Sequence, residues 1–394
     1  MYKKICIITG TRAEYGLLKP LIDKIYKSKD LELQLVVTGM HLSPEFGLTY
    51  KEIEEDGYPI TSKIEMLLSS DTSVGITKSI GVALIGFADY YEQYKPNMVI
   101  ILGDRYEMLA AAISAMVAKV PIAHIHGGEL TEGVMDEAIR HSITKMSHIH
   151  FTSTEEHRNR VIQLGEQPQF VYNVGALGIE NIKSIQLLDK ETLEKQIKFR
   201  FTCKTIMVTY HPVVMENIST KKQFSNILEV LHAHNEISVI FTKANADMDG
   251  RIINQMIDDF VNEHRERCSA YTSLGQLKYL STLQFCRAVV GNSSSGIIEV
   301  PSFGIPTVNI GDRQKRRTHA KSVLNCGNDK TEIEIALQQA LSDEVANKAK
   351  NIRNPYEAEH TSDQMITIIT QVLDYGVDMK KKFFDMRVSE WKSH

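Results

Sequence analysis

Carboxylates, histidines and glycines crowd one stretch of this chain, His124-Ile125-His126-Gly127-Gly128-Glu129 followed by Asp136-Glu137-Ala138-Ile139-Arg140-His141. A solvated loop needs no such concentration, whereas proton transfer at a bound ligand needs several titratable groups around one point. Glu129 and Asp136 are the candidate acids. Asp136 and Arg140 are four residues apart on one helix face, the spacing of a plain surface ion pair and equally of an arginine that orients an acid. His124, His126 and Glu129 are the alternative, a metal-ligand set. The two histidines lie in a strand-like apolar run, where a place in the core competes with ligation, so no metal is expected.

A third acid, Asp104, lies in Gly103-Asp104-Arg105-Tyr106-Glu107, where an N-cap role would also explain it. Near the start, residues 9–16 read Thr-Gly-Thr-Arg-Ala-Glu-Tyr-Gly. The glycines allow a tight strand-to-helix turn, either for packing alone or so that backbone N–H groups meet an anion, and Arg12 favours the anion. The second half supplies Tyr210-His211-Pro212 and then Gly291-Asn292-Ser293-Ser294-Ser295-Gly296-Ile297-Ile298-Glu299. Small hydroxyl residues between glycines at a helix start offer several donors to a phosphate, reinforced by the helix dipole. The Gly-Lys-Ser/Thr ending of a Walker loop is absent, so nucleotide triphosphate hydrolysis is not implied. Glu299, one turn on, suits ribose hydroxyls or is a dipole-favoured first-turn glutamate. The basic run 311–317, with Arg313, is either a solvated charge run or a neutraliser of a diphosphate.

The elements that carry these loops follow from hydropathy. Strand-sized apolar runs recur at 5–9, 33–38, 98–102, 121–125, 149–152 and 170–174, with helical spacing between them at 17–26, 76–94, 107–117, 136–146 and 154–164. Alternation of this kind predicts βαβ units and a parallel sheet buried on both faces. The pattern weakens through a charged, helix-prone stretch at 187–198 and restarts with strands at 205–210, 238–242, 269–271, 288–290 and 307–310. The fold class expected is therefore α/β, with two Rossmann-like domains of parallel sheets and an interdomain cleft. The boundaries are 1–180, 181–358, and a terminal segment 359–394 with a helix at 361–375. In open parallel sheets ligands sit beyond the carboxyl ends of the strands, where every loop singled out above lies.

Bulk properties agree. A chain of 394 residues exceeds what one core usually supports. With 43% hydrophobic and 24% charged residues it has the composition of a globular protein. A net charge of −4 gives no general attraction to nucleic acid or to an anionic membrane. The N-terminus has no apolar run of signal-peptide or membrane-span length, so a cytoplasmic location is expected. Cys6, Cys203, Cys268, Cys286 and Cys326 are widely spaced and never in a CxxC pair, which indicates neither zinc site nor disulfide framework.

Taken together, TGTRAEYG, LGDRYE, HIHGGE, MDEAIRHSITK, GNSSSGIIEV and NIGDRQKRR closely resemble the hydrolysing UDP-N-acetylglucosamine 2-epimerases, the NeuC-type branch of bacterial sialic-acid biosynthesis. The resemblance runs from Thr9 to about Pro355 in the family order. It implies a GT-B-like architecture, a last helix that crosses back to the first domain, a homodimer or homotetramer, and no cofactor. It also implies elimination of UDP from UDP-N-acetylglucosamine to a 2-acetamidoglucal, then hydration to N-acetylmannosamine. Asp104, Glu129 and Asp136 match the family's catalytic acids, and His211 its second-domain histidine near the phosphates. Substrate contacts are expected at Arg12, Arg105, His126 and Arg140 of the first domain. In the second they are expected at Asn245, Asn292, Ser293, Ser294, Gly296, Glu299 and Arg313. The loops around His211 and Asp136 differ from the HxRE-like and PEExNR-like motifs of non-hydrolysing members. Relatives in legionaminic-acid synthesis use the same motifs on a 2,4-diacetamido-2,4,6-trideoxy hexose with a UDP or GDP carrier, and residues 40–47 are a candidate sugar contact. The contrasting class with this architecture is a glycosyltransferase, which needs one base rather than three acids.

Overall fold

A computed structural model describes residues 2–68, 70, 72–131, 135–213, 219–244, 250–314 and 317–386. The chain forms two compact units, one of Met1–Glu129, Met135–Glu180 and Ala358–His394, the other of Leu130–Val134 and Asn181–Glu357.

The first unit is built on β1 (Lys3–Thr9), β2 (Leu31–Thr38), β3 (Ile60–Ile64), β4 (Met98–Leu102), β5 (Ile122–Ile125), β6 (Ile149–Thr152) and β7 (Val171–Asn173). Their order is β3-β2-β1-β4-β5-β6-β7, with every described pair parallel. Central strands are buried throughout, as helices on both faces require: all five residues of β4 and all four of β5 are inaccessible or nearly so. On one face the helix Arg12–Lys27 buries Leu18, Leu21, Ile22 and Ile25, the i, i+3, i+4, i+7 stripe of an amphipathic helix. The helix Thr361–Tyr375 covers it with Met365 and Ile369, both in the same core.

Residues 377–386 continue as a strap along this unit. Lys381 Nζ bonds the Lys145 and Ser147 carbonyls and pairs with Glu166 at 2.7 Å. The Phe384 N–H donates to the Gly165 carbonyl at 2.8 Å, and its ring packs on Val161, Ile162 and Val171.

The second unit holds β8 (Thr205–Thr209), β9 (Ser238–Thr242), β10 (Cys268–Tyr271), β11 (Ala288–Gly291), β12 (Thr307–Ile310) and β13 (Val323–Cys326). They form a sheet in the order β10-β9-β8-β11-β12-β13, again parallel. In each sheet the strand order reverses once, between β1 and β4 and between β8 and β11, which is where doubly wound sheets open a crevice.

Both sheets are one strand wider than the hydropathy pattern predicted. The additions, β3 and β13, are edge strands with half-exposed patterns, so neither presents a continuous apolar run. The charged stretch at 187–198 contains the helix Lys190–Ile197.

Candidate active site

In the first unit the acids gather on a buried arginine. Arg140 lies in the second turn of the helix Asp136–Met146 and is 1% exposed. Its Nη1 donates to the Glu129 carbonyl at 2.8 Å and to Glu137 Oε2 at 2.9 Å, while Nη2 is paired with the Asp104 carboxylate. Burial alone would favour the neutral guanidine. The carboxylates of Asp104, Glu129 and Glu137 outweigh it and hold the cation charged. Arg140 is thus a fixed positive centre that joins the turn after β4 to the turn after β5.

Asp104 does not cap the next helix. The N-cap of Tyr106–Val117 is Arg105, and Asp104 turns its carboxylate to Arg140 instead. Gly103 precedes it in the left-handed region at φ 76°. Its carbonyl accepts from His124 Nε2 at 2.7 Å, while His124 Nδ1 meets Thr144 Oγ1 at 3.2 Å. Burial holds the His124 imidazole neutral, down to about 3. His124 is therefore a core histidine. His126, also buried, has a left-handed backbone, φ 66°, and its Nδ1 is 3.4 Å from Glu129 Oε1. Such a conformation is rare outside glycine and accompanies functional turns.

Glu129 is 3% exposed, and Ser153 Oγ donates to its Oε1 at 3.1 Å. Ser153 Oγ also lies 2.9 Å from His157 Nδ1. Ser153, His157 and Glu137 are absent from the sequence-based set. A lone serine after a strand and a histidine in a helix's first turn carry no signal until β6 is known to lie beside β5. Asp136 opens its helix, half-buried, next to Glu137, which rather than Asp136 is the acid bonded to Arg140 from that helix.

The anion met by the helix start at Thr11 is the chain's own Glu14, whose Oε2 accepts from the Gly10 and Thr11 N–H groups at 2.7 and 3.0 Å, while Thr11 Oγ1 accepts from the Glu14 N–H. This is a capping box, which Thr-x-x-Glu spacing encodes. Arg12 is paired with Glu52 at 2.7 Å and Arg105 with Glu107 at 3.3 Å. Within residues 40–47, His41 is fully buried, its ring nitrogens bonded to Thr9 and Thr49 hydroxyls.

In the second unit, Asn292 follows β11 and grips the turn after β8. Its Oδ1 accepts from the His211 N–H at 2.7 Å and its Nδ2 donates to the His211 carbonyl at 2.8 Å. The Asn292 carbonyl in turn accepts from Arg313 Nη1 and Gln314 Nε2, both at 3.0 Å. Ser293 caps the helix Ser294–Ile298, within which Gly296 is buried against Thr307. That helix has five residues and Pro301 follows, so Glu299 is its C-cap and not a first-turn residue. The Glu299 carboxylate is engaged by Ser295, which also bonds Tyr279. Burial raises it above the usual carboxylate range. Within the basic run, Arg317 is 6% exposed and donates to the Leu130 carbonyl and Thr131, so it is not a solvated charge. Asn245 lies outside the described residues.

Among the described residues, no three His, Cys, Asp or Glu side chains are grouped to hold a metal ion, and no helix is long and apolar enough to cross a membrane.

The model of the family described as UDP-N-acetylglucosamine 2-epimerase matches residues 23–370. A GDP/UDP-N,N'-diacetylbacillosamine 2-epimerase (hydrolyzing) of Campylobacter jejuni is 41% identical over 384 residues, 98% of this chain and 99% of the relative. The polysialic acid biosynthesis protein P7 of Escherichia coli is 36% identical over 386 residues, 98% of each. Among solved structures, the UDP-GlcNAc 2-epimerase from Neisseria meningitidis bound to UDP-GlcNAc superposes with a TM-score of 0.78 at 19% identity, covering 93% of this chain and 100% of that one. That likeness is one of fold: two Rossmann-like α/β domains with parallel sheets, the GT-B-like class.

Proposed function

As the chain belongs to the UDP-N-acetylglucosamine 2-epimerase family, we propose that it is a hydrolysing 2-epimerase that removes the nucleotide from a 2-acetamido sugar and inverts carbon 2. The observation that carries this reading is the convergence of Asp104, Glu137 and the Glu129 turn on the buried Arg140. Loss of the proton at carbon 2 with departure of the diphosphate at carbon 1 leaves a 2-acetamidoglucal. Water then adds at carbon 1 and a proton returns to the opposite face of carbon 2. The two proton transfers need separately placed groups. Asp104 and Glu129 are those groups in this reading, with Asp136 orienting the sugar or serving the hydration step. His211, whose backbone Asn292 clamps, would stabilise charge on the departing diphosphate. Ser293 and Ser294 would donate to the phosphates, Arg313 would add charge, and Glu299 would serve the ribose once freed from Ser295.

For the sugar we propose a nucleotide-linked 2,4-diacetamido-2,4,6-trideoxyglucose, because the relative so named shares 41% identity over nearly full length. The second reading is UDP-N-acetylglucosamine, giving N-acetylmannosamine for sialic acid. It is supported by the motif resemblance and by the 36% identical polysialic acid protein. Incubating the protein in deuterated water with each sugar, the diacetamido sugar on both UDP and GDP, and following proton NMR decides between them. The expected product is the 2-epimer of the free diacetamido sugar carrying deuterium at carbon 2, with free nucleoside diphosphate. Turnover of UDP-N-acetylglucosamine alone would install the second reading. No release of nucleotide from any of them would sink the epimerase reading and bring the glycosyltransferase forward. Asp104→Asn and Glu129→Gln should each slow turnover by roughly 100- to 10,000-fold while retaining nucleotide binding.

A further inference from the structure

Glu129 does not stand alone in the first unit. β6 ends at Thr152, Ser153 follows, and Thr154 caps the helix Glu155–Gln163 by accepting from the His157 N–H. Ser153 and His157 are thereby set side by side, 2% and 0% exposed, under the turn that carries Glu129. The turn is pressed onto them. Gly128, at φ 79°, lies so close to the His157 carbonyl that a Cβ there would collide with it, and Arg160 from the same helix bonds the Gly128 carbonyl.

Hydrogen-bond counting fixes the polarity of this contact. A serine hydroxyl has one proton. Ser153 gives it to Glu129 Oε1, so the 2.9 Å contact to His157 Nδ1 requires the imidazole to donate from Nδ1. We infer that His157 Nδ1–H, Ser153 Oγ–H and Glu129 form a directed relay, in which Ser153 and His157 are positioning residues that aim the Glu129 carboxylate and favour its ionised form. This rests on the reading of Glu129 as a proton-transfer group. Among the described residues, charged or titratable groups at Glu129 include His126, with Nδ1 3.4 Å from the same oxygen, and Arg140, which bonds the Glu129 carbonyl and carries Asp104 and Glu137. Ser153 and His157 are the part of this surrounding that comes from the neighbouring strand and helix.

The first test does not depend on turnover. In the full chain labelled with 15N-histidine, with His157 assigned by difference from His157→Gln, the imidazole should carry its proton on Nδ1, the minority tautomer of free histidine. It should lose that preference in Ser153→Ala. A His157 protonated only on Nε2 would overturn the relay. The second test uses the nucleotide sugar that the wild type turns over. Ser153→Ala should lower kcat/KM by roughly 10- to 100-fold, mainly through kcat, the loss of one hydrogen bond to a charged group. Because a donor to a carboxylate favours its charged form, the acidic limb of the kcat/KM profile should move up by about one pH unit. Ser153→Thr, which keeps the hydroxyl, should restore both. An unmoved limb with equal losses in the Ala and Thr variants would assign Ser153 to packing alone and sink the inference. A wild type that turns over no nucleotide sugar defeats the functional reading instead, and the tautomer still decides the relay.

Discussion

Glu14 and Glu107 bring two carboxyls together where the turns after β1 and β2 nearly touch. A Cβ on Gly10 or Gly39 would meet Glu107 Oε1 at 3.5 or 2.8 Å, and a Cβ on Gly10 would meet Glu14 Oε2 at 3.3 Å. Burial first, and the nearby Glu107 charge second, push the Glu14 carboxyl up to about 7. A carboxyl raised in the folded state contributes stability that is complete below its ordinary value of 4.5 and is lost as pH rises through about 7. Glu14→Gln mimics the protonated form and keeps an acceptor for Gly10 and Thr11. Its Tm should match wild type near pH 5 and exceed it near pH 8; an offset that does not change with pH would exclude this account. At this scale the sequence made Asp104, Glu129 and Arg140 visible, because charged residues on short loops after apolar runs stand out against their surroundings. It could not show that Arg140 serves Asp104 rather than Asp136, since helix spacing sees only one helix and the partner comes from another strand. Ser153 and His157 were hidden for the same reason, whereas Glu137, three residues before Arg140 on one helix, lay within reach of helix spacing.

Strands and turns were legible in proportion to their burial. β4, β6, β9 and β12 coincide with their hydropathy-predicted bounds because strands inside a parallel sheet are buried at nearly every position and so are mostly apolar. β3 and β13, at the sheet edges, are mostly half-exposed with one buried residue each, a pattern short loops share. The glycine after a strand carries more weight than its turn suggests. Gly291 closes β11 at φ 138° in register with Thr209 of β8, and a Cβ there would overlap the Thr209 carbonyl. Gly291→Ala should therefore break the pairing that brings Asn292 to His211, costing about 3 kcal/mol or more in urea unfolding. Gly47→Ala is the control, since φ is 86° there but nothing lies within 4 Å of the added carbon, so the backbone term alone remains, about 1 kcal/mol. Similar losses at both sites would mean that the strand contact at Gly291 is not tight.

Across the molecule, the terminal strap ties the first unit together through a buried charge. Burial by itself would raise the Glu166 carboxyl, but bonds from His150, Lys145 and Lys381 hold it down to about 2. A depressed carboxyl contributes stability above its ordinary 4.5 that disappears as pH falls toward 2. Lys381→Met removes one of three partners. It should cost about 1–3 kcal/mol at neutral pH, and because only the folded value moves, its acid loss should be smaller and finish at a higher pH than in wild type, so that the two stabilities converge as pH falls. Tm curves of variant and wild type that run parallel from about pH 7 to about pH 3 would show that Lys381 does not help to set the Glu166 titration.

The same arrangement has a consequence in time rather than in energy. The helix Thr361–Tyr375 and the strap belong to the first unit, yet nearly all of the second unit, Asn181–Glu357, is encoded before them. At roughly 5–20 residues per second of synthesis, the sheet begun by β1 waits many seconds, with the part of Arg12–Lys27 that packs on the last helix uncovered, until Met365 and Ile369 emerge from the ribosome. The unit that is made first is finished last. While it waits, its open helix face is where a chaperone would bind and where neighbouring nascent chains would stick, and a ribosome that stalls after residue 357 leaves that face exposed for as long as it stalls.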